Sequence, residues 1–321
     1  MPKTKISLIK ASICPPSVSS FFLSFFHVWN PNSSYAGGSA RYVNSYSAST
    51  KFKQVIGHIL CILSSLFRLK GMPLVRMKLP KLRIPENKIL LLMELDPLLK
   101  AQSLQGTLPP QIVRLPFLEE LDLTRNYLSG PIPPEWGSTK ILKISLLGNR
   151  LTGPIPKAIG NITTLQELVL EMNHFSGNIP LELGNLANLS RLLLTSNNFS
   201  GELPSSLARI TTLTDFRIGD NNFRGPIPTF LQNWTNLGKI AIQASGLSGP
   251  IPSEIGLLTK LTDVRISDLN GGSSRFPPLS TLTKLRTLIL RSCNITGMLP
   301  DNLAGLTALK TLSVKFSFLL R

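Results

Sequence analysis

The chain has 321 residues with 34 Lys and Arg against 17 Asp and Glu, a formal charge of +17, and 42% of its residues are hydrophobic. This length allows two ordinary domains or one long repeat array, with enough apolar residues for a sizeable core. The three cysteines, Cys14, Cys61 and Cys293, are too widely separated for a disulfide framework or a paired metal site. We therefore expect no metal and no cofactor.

The positive charge lies mainly in the first part of the chain. Residues 1–93 hold 13 Lys and Arg against one acid, whereas residues 94–321 hold 21 against 16. A nucleic-acid surface needs a basic patch with interleaved aromatic residues, and the charge-balanced second part shows none. The composition excludes nucleic acid as the expected partner and divides the chain into a basic N-terminal segment, 1–93, and a second region, 94–321.

The N-terminal segment contains two apolar stretches, 18–29 and 55–67, each preceded by lysines. Both have about the length of a signal-peptide apolar region and are short for a bilayer span, and neither precedes a clear small-residue cleavage site. A secretory signal and a poorly ordered segment are both compatible with this pattern. No later stretch approaches the roughly 20 apolar residues of a transmembrane helix.

The second region is an internal repeat of nearly constant length. Its phrase, LxxLxLxxNxLxGxIPxxLGxLxx, recurs with a spacing of 23 residues once and 24 thereafter. A partial copy at Leu99 is repeat 1, and repeats 2 to 10 start at Leu118, Ile141, Leu165, Leu189, Leu213, Leu237, Leu261, Leu285 and Leu309. Such a repeat predicts a solenoid, because one unit cannot bury its apolar face alone and must stack on its neighbours.

The phrase predicts the path of each coil. The two leucines of LxL point to one side of a short strand, so stacked coils should form a parallel sheet on a concave face, opposite a 3-10 or irregular convex side. An asparagine at position 9 can satisfy backbone groups where the chain leaves the strand. It occurs in five successive repeats, as Asn126, Asn149, Asn173, Asn197 and Asn221.

Three later positions complete the coil. Position 11 supplies an internal spine, Leu128, Leu151, Phe175, Phe199, Phe223 and Leu247. Position 13 is a glycine that allows backbone angles a Cβ would forbid, at Gly130, Gly153, Gly177, Gly201, Gly225 and Gly249. Position 16 is a proline that fixes an extended turn onto the convex side, at Pro133, Pro156, Pro180, Pro204, Pro228 and Pro252.

The phrase with its Gly-x-Ile-Pro resembles the plant-type extracellular leucine-rich repeat. The stretch 99–136, with LLKAQSLQGTLPP and LDLTRNYLSGPIPPEWG, is similar to the start of the ectodomain in malectin-containing plant receptor-like kinases. The resemblance covers residues 98 to 316 and implies the extracellular sensor of a cell-surface serine/threonine kinase.

The chain also departs from that family. It contains no kinase Gly-rich loop, HRD or DFG motif, no malectin-like domain, no membrane span after the repeats and no capping cysteine pair. The tenth repeat stops before its own glycine and proline. We therefore expect a chain truncated before the malectin, transmembrane and kinase regions, with no catalytic activity of its own.

The exposed strand positions are the candidate binding surface. Position 3 alternates in sign as Glu120, Lys143, Glu167, Arg191, Asp215, Lys239 and Asp263. This column is interpreted either as a polar ligand track or, preferably, as a ladder in which neighbouring charges neutralise one another. At positions 5 and 7, Leu147, Val169 and Leu193 form a candidate apolar patch, and Arg217, Arg265 and Arg291 are candidate anchors for an acidic group.

Repeats 7 to 9 break the pattern at position 9, where Ser245, Leu269 and Cys293 replace asparagine. Repeat 8 also lacks the Gly-x-Ile-Pro turn. The irregularity indicates either a functional region or ordinary drift of the repeat. Cys293 is expected to be a small buried substitute for asparagine rather than a reactive thiol.

The resulting hypothesis is a recognition module that binds a peptide, protein or glycan, with a co-receptor as a further partner, at the cell surface or in the apoplast. Membrane association would come only from a missing downstream span or an uncleaved N-terminal segment. The alternatives are a secreted leucine-rich repeat inhibitor of microbial cell-wall-degrading enzymes and a non-functional receptor fragment.

Glycosylation is the first testable expectation. Sequons within the repeats occur at Asn161, Asn188, Asn198, Asn233 and Asn294, and another lies at Asn32. None occupies the buried ninth position, although a repeat rich in Asn, Ser and Thr also generates sequons by chance. We predict that at least about three carry glycans, so protein made in plant cells should shift in size on enzymatic deglycosylation. An unchanged size would contradict the prediction.

Overall fold

The computed structural model describes residues 98–316. The N-terminal segment 1–93, with its two apolar stretches, Cys14, Cys61 and Asn32, lies outside the described residues. Within 98–316, each repeat forms one coil of a solenoid, as the sequence predicted. A coil consists of a strand of a first sheet, a strand of a second sheet in most repeats, and a 3-10 helix before the next coil begins.

The first sheet is parallel and has ten strands in the described region. They are β2 (Glu120–Asp122), β4 (Lys143–Ser145), β6 (Glu167–Val169), β8 (Arg191–Leu193), β10 (Asp215–Arg217), β12 (Lys239–Gln243), β13 (Asp263–Ser267), β14 (Ser274–Arg275), β15 (Thr287–Thr296) and β16 (Thr311–Phe316). Equivalent repeat positions lie side by side, as in the pairing of Leu168 with Leu192. The predicted register is therefore confirmed.

After the turn that ends each first-sheet strand, the chain forms a strand of a second parallel sheet. The sequence had indicated only a turn in this part of the coil. The six strands of this sheet are β1 (Gln105–Thr107), β3 (Tyr127–Gly130), β5 (Arg150–Gly153), β7 (His174–Asn178), β9 (Asn198–Gly201) and β11 (Asn222–Phe223). The sheet forms because positions 10 to 14 of adjacent coils run parallel, with a shift of two positions that places Ser176 opposite Asn198, so their backbone groups bond between coils.

Eight 3-10 helices form the side opposite the first sheet in the described coils. They are η1 (Pro110–Arg114), η2 (Pro134–Ser138), η3 (Lys157–Asn161), η4 (Leu181–Asn185), η5 (Ser205–Arg209), η6 (Thr229–Asn233), η7 (Ser253–Leu257) and η8 (Asp301–Gly305). The predicted extended prolines precede them, as at Pro156 with φ −62° and ψ 137°. Neighbouring helices approach closely: a Cβ at Gly160 would lie 2.3 Å from the carbonyl oxygen of Glu182.

Left-handed backbone recurs at two positions of the coil. The predicted glycines at position 13 have φ between 76° and 80° in repeats 2 to 6, but Gly249 in repeat 7 does not adopt this conformation. Position 8 is also left-handed, and it was not anticipated because it is glycine only once. Its members include Arg125, Met172, Ser196, Asp220, Ala244, Asp268 and Ser292, with φ between 47° and 57°.

The core is continuous along the described coils. The LxL side chains, such as Leu168 and Leu170, are at most 1% exposed. The predicted spine is confirmed, because Phe175, Phe199 and Phe223 stack with ring centroids 6.1 and 6.3 Å apart. Burial of such rings is a large apolar contribution to stability. A solenoid with one core and repeated contacts between neighbours follows.

The asparagines at position 9 form a buried ladder of hydrogen bonds. Asn173 donates to the carbonyl oxygens of Leu146 at 2.9 Å and Leu170 at 3.0 Å, and accepts from the amide of Leu151 at 3.1 Å. The equivalent three bonds recur at Asn126, Asn149, Asn197 and Asn221. Each asparagine thus joins the end of its own strand to the preceding coil, as predicted.

Cys293 occupies the asparagine position in repeat 9. Its thiol is 3.4 Å from the carbonyl oxygen of Ile266, 27 residues earlier, which is the separation that the ladder asparagines also bridge. It is 2% exposed. Burial, with a smaller effect from the charge of Asp268, raises the pKa of the Cys293 thiol to about 12. Cys293 is therefore a buried substitute for asparagine.

The ladder can be tested at Asn173. Replacement by alanine leaves the amide of Leu151 without its buried acceptor, and we expect a loss of about 2 kcal/mol in the free energy of unfolding. Urea unfolding followed by circular dichroism measures this loss. Asn222→Ala, at an exposed asparagine of the second sheet, is the matched control. Equal losses in both variants would contradict the assigned role of the ladder.

The environment of Cys293 predicts its reactivity. The thiolate is the nucleophile, and a pKa of about 12 leaves little of it at pH 8. We expect iodoacetamide to modify Cys293 in guanidinium chloride but at least about tenfold more slowly in the native protein. Peptide mapping by mass spectrometry reports Cys293 separately from the other cysteines. Equal rates in the two solutions would show that the site is open.

Candidate functional site

The candidate binding surface is the strand face, defined as the side chains at positions 3, 5 and 7 of the first-sheet strands. These side chains alternate with the buried leucines and point away from the core, since successive residues of a strand face opposite sides. In the described repeats 2 to 10, no position of the strand face carries Phe, Tyr or Trp. The side chains on this surface are charged, polar, small or aliphatic.

The predicted charge ladder is present where the acid is glutamate. Lys143 pairs with Glu120 in the adjacent strand, and Arg191 pairs with Glu167 at 2.6 Å. The hydrogen bond that Lys143 donates to the carboxylate of Glu120 raises the pKa of Lys143 above its ordinary value. Exposed pairs of this kind contribute at most about 1 kcal/mol each. They neutralise the charges at position 3 of repeats 2 to 5.

The ladder does not continue where the acid is aspartate. Arg217 binds both carboxylate oxygens of Asp215 at 2.8 and 2.7 Å, and Arg265 binds Asp263 in the same way at 2.8 and 3.0 Å. Both pairs lie within one strand, two residues apart. Each of these aspartates has an arginine two residues later on its own strand, whereas Asp122 and Val169 stand at that position after Glu120 and Glu167. The hydrogen bond to aspartate is the main cause that raises the pKa of each arginine.

These pairings distinguish the predicted anchors. Arg217 and Arg265 are held by their aspartates. Within residues 98–316, Arg291 forms no ion pair and donates from Nε to the Ser313 hydroxyl at 2.8 Å. Lys239 lies between the two aspartates in register and forms no ion pair among the described residues. Sequence reasoning placed Lys239 inside the ladder. The arginine two residues after each neighbouring aspartate was the sequence signal that Lys239 would be left unpaired.

The predicted apolar patch is largely covered. Val169 is 8% exposed and Leu193 is 2% exposed, and only Leu147 is half-buried. Glu171 lies partly buried in repeat 4, and burial raises the pKa of its carboxyl group while the charge of Arg217 opposes the shift. Binding by these three apolar residues remains a prediction, but Leu147 is the member that offers accessible surface.

A depression of about 330 Å³ opens on the strand face at repeats 5 to 8. Its lining combines three cations, one acid, one glycine and two threonines: Arg191, Arg217, Lys239, Asp215, Gly238, Thr214 and Thr262. The glycine stands at position 2, where the coils on either side carry threonine. The depression therefore exists because one coil lacks a side chain between two that have one.

The predicted glycosylation sites lie at the surface. Asn161, Asn188, Asn198 and Asn233 are exposed, and Asn294 is partly exposed, with its amide donating to the carbonyl oxygen of Gly271 at 2.9 Å. Their modification remains a prediction. Within residues 98–316, no group of three or more His, Cys, Asp or Glu side chains is arranged to hold a metal ion. No helix in this part of the chain is long and apolar enough to cross a membrane.

Comparison with protein families and solved structures identifies the repeat. The Leucine Rich Repeat family profile matches residues 117–139, 164–186, 188–210 and 284–306. The fold is a leucine-rich repeat solenoid. The structure is similar to the ectodomain of the Arabidopsis thaliana membrane receptor kinase GASSHO1/SCHENGEN3, with TM-score 0.60 and 28% identity. The match covers 72% of this chain and 31% of that chain. The HAESA ectodomain from Arabidopsis, solved with a peptide hormone ligand, matches over 66% of this chain and 36% of that chain, with TM-score 0.62 and 32% identity.

The sequence is also homologous to plant leucine-rich repeat receptor-like kinases. One probable serine/threonine-protein kinase of this class from Arabidopsis thaliana is 66% identical over 73 residues, which are 23% of this chain and 7% of that protein. Another is 58% identical over 66 residues, which are 21% of this chain and 7% of the relative. The matched segments thus span about a fourteenth of these relatives.

Proposed function

We propose that this chain is the extracellular recognition module of a plant receptor-like kinase and binds a peptide or protein ligand along its strand face. The observation that carries the proposal is the open, regular strand face in a solenoid similar to solved plant receptor ectodomains. HAESA was solved with a peptide hormone, and in another structure with that hormone and the co-receptor SERK1. Those partners belong to HAESA, and they support the class of ligand proposed for this chain.

The geometry of the strand face suits an extended chain. Neighbouring strands lie about 4.8 Å apart and alternate side chains along a strand about 6.6 Å apart, so the surface presents side chains on a nearly fixed grid. A peptide laid across several coils would meet a different row of side chains in each repeat. Repeat solenoids commonly bind partners on such surfaces. The module would recognise its ligand through side chains whose backbone is already ordered.

Two observations support the proposed cellular location. The five sequons of the described region lie on exposed or partly exposed asparagines, and the homologous proteins are receptor-like kinases. We place the module at the cell surface or in the secretory pathway, as a glycoprotein. Membership of the malectin-containing subfamily rests on the resemblance of residues 99–136 and belongs to the same proposal.

Selection from a displayed library of linear peptides tests the function. The full chain, secreted from plant cells, is compared with a variant in which Arg217, Arg265 and Arg291 are changed to alanine. We expect the wild type to enrich a family of peptides, and the triple variant to bind them at least about tenfold more weakly, because the variant loses three rigid donor groups. Biolayer interferometry of individual peptides gives the dissociation constants.

The control variant removes three arginines from other surfaces, Arg114, Arg209 and Arg224. It has the same charge change as the strand-face variant and should retain peptide binding. Thermal unfolding of both variants establishes that the solenoid is intact. Failure of the wild type to enrich any peptide, or equal losses in the two variants, would overturn binding along the strand face.

A further inference from the structure

We propose that the depression beside Lys239 is a subsite for a single carboxylate group of an acidic peptide. This inference rests on the proposed function and specifies the chemistry of the ligand. The first observation concerns the ion-pair partners of Lys239. It is exposed, and its two in-register neighbours, Asp215 and Asp263, are each held by an arginine of their own strand. Lys239 is thus an exposed cation whose predicted partners have been taken by other groups.

The lining of the depression holds more cations than acids. Arg191 and Arg217 line the same depression, and Asp215 is its one acid. Arg191 is paired with Glu167, which lies outside the lining, and Arg217 satisfies Asp215. After these pairings, the charge of Lys239 remains to be balanced. An anionic group entering the depression would meet that cation and two arginine side chains at its wall.

The larger charge distribution agrees with this assignment. Residues 98–223 hold 10 Lys and Arg and 10 Asp and Glu, whereas residues 224–316 hold 10 Lys and Arg and 4 Asp and Glu. The positive excess of the described coils therefore lies entirely in the part of the solenoid that begins just before Lys239. An acidic ligand would be attracted toward this part before any specific contact forms.

The depression also has a specific structural cause. Gly238 stands in line with Thr214 and Thr262, whose hydroxyls donate to the carbonyl oxygens of Ser190 and Gly238 in the preceding coils at 2.9 and 3.0 Å. A Cβ built at Gly238 would have backbone oxygens at 3.5 and 3.8 Å as its nearest neighbours, which is ordinary contact. The backbone would therefore accept a larger residue. Glycine keeps open a space that a threonine would fill.

The peptide is favoured over an acidic polysaccharide by the composition of the strand face. Positions 3, 5 and 7 of the described repeats 2 to 10 carry no aromatic ring on which a sugar could stack. They instead present charged, polar, small and aliphatic side chains, which suit the backbone and side chains of an extended peptide. The carboxylate could belong to a glutamate or aspartate side chain or to a free C-terminus, and these sources differ in their response to amidation.

The test uses an array of dodecapeptides with acetylated N-termini, in pairs that differ by one Glu-to-Gln change and with the C-terminus either free or amidated. The full chain is compared with Lys239→Ala and Gly238→Thr. Wild type should prefer the member with the carboxylate by about tenfold, since a charge-assisted contact is lost in its amide partner. Both variants should abolish that preference, Lys239→Ala by removing the charge and Gly238→Thr by filling the space.

Lys140→Ala is the matched control, because Lys140 is an exposed lysine outside the strand face and its removal changes the net charge by the same amount. It should keep the preference for a carboxylate. A preference retained on amidated peptides assigns the subsite to a side-chain carboxylate, and one lost on amidation assigns it to the terminus. Capture of peptides without a carboxylate preference, or with equal effects of Lys140→Ala and Lys239→Ala, would overturn the subsite while leaving the proposed function intact.

Two further results would contradict the proposal. If trigalacturonate bound in a Lys239-dependent manner and no acidic peptide did, the depression would be a site for an acidic glycan. If wild type captured no peptide in either the array or the displayed library, the proposed function would fail together with the subsite. Thermal unfolding of the three variants distinguishes loss of binding from loss of the fold.

Discussion

The fold depends on the hydrogen bonds of the asparagine ladder. Where the chain leaves a strand of the first sheet, its backbone turns through the left-handed conformation at position 8 and exposes carbonyl and amide groups to the core. The asparagine that follows satisfies groups in its own coil and in the preceding one, so one side chain both closes a turn and fixes the distance between coils. The phenylalanine spine stacks in coils that carry these asparagines, and the register of the first sheet continues beyond them through repeats 7 to 9.

The sequence predicted those parts of the structure in which one residue type performs one task in every coil. Asn173 and Phe175 belong to columns of this kind, and the structure confirms the role predicted for each. The second sheet was not predicted, because it is made by backbone groups of positions whose side chains, such as Thr152 and Ser176, are variable and at least partly exposed. The left-handed turn was missed for a related reason: arginine, methionine and alanine all adopt it, so no residue type marks the position.

The candidate site was predicted less completely, because it depends on which of several neighbours each charged side chain contacts. The alternation of charge at position 3 indicated a continuous ladder, and glutamate does extend across to Lys143 and Arg191. Each aspartate binds the arginine two residues later on its own strand instead. That arginine thus decides whether a cation of the next coil is neutralised or left available. The burial of Leu193 was not predicted either, because its position in the strand indicates an exposed side chain.

These features separate the requirements of the fold from those of recognition. Buried positions repeat because every coil must satisfy the same backbone and fill the same core, and a change there propagates to both neighbours. The strand face is under no such requirement, so its pairs differ from coil to coil at small energetic cost. A surface on which every charge is paired with an opposite charge exerts little electrostatic attraction or repulsion on a ligand. In repeat 7, an unpaired lysine lies beside a glycine at a position where the neighbouring repeats carry threonine. This repeat would therefore differ from its neighbours in its affinity for a charged ligand. A difference of that kind would allow a regular solenoid to bind a ligand in a single register.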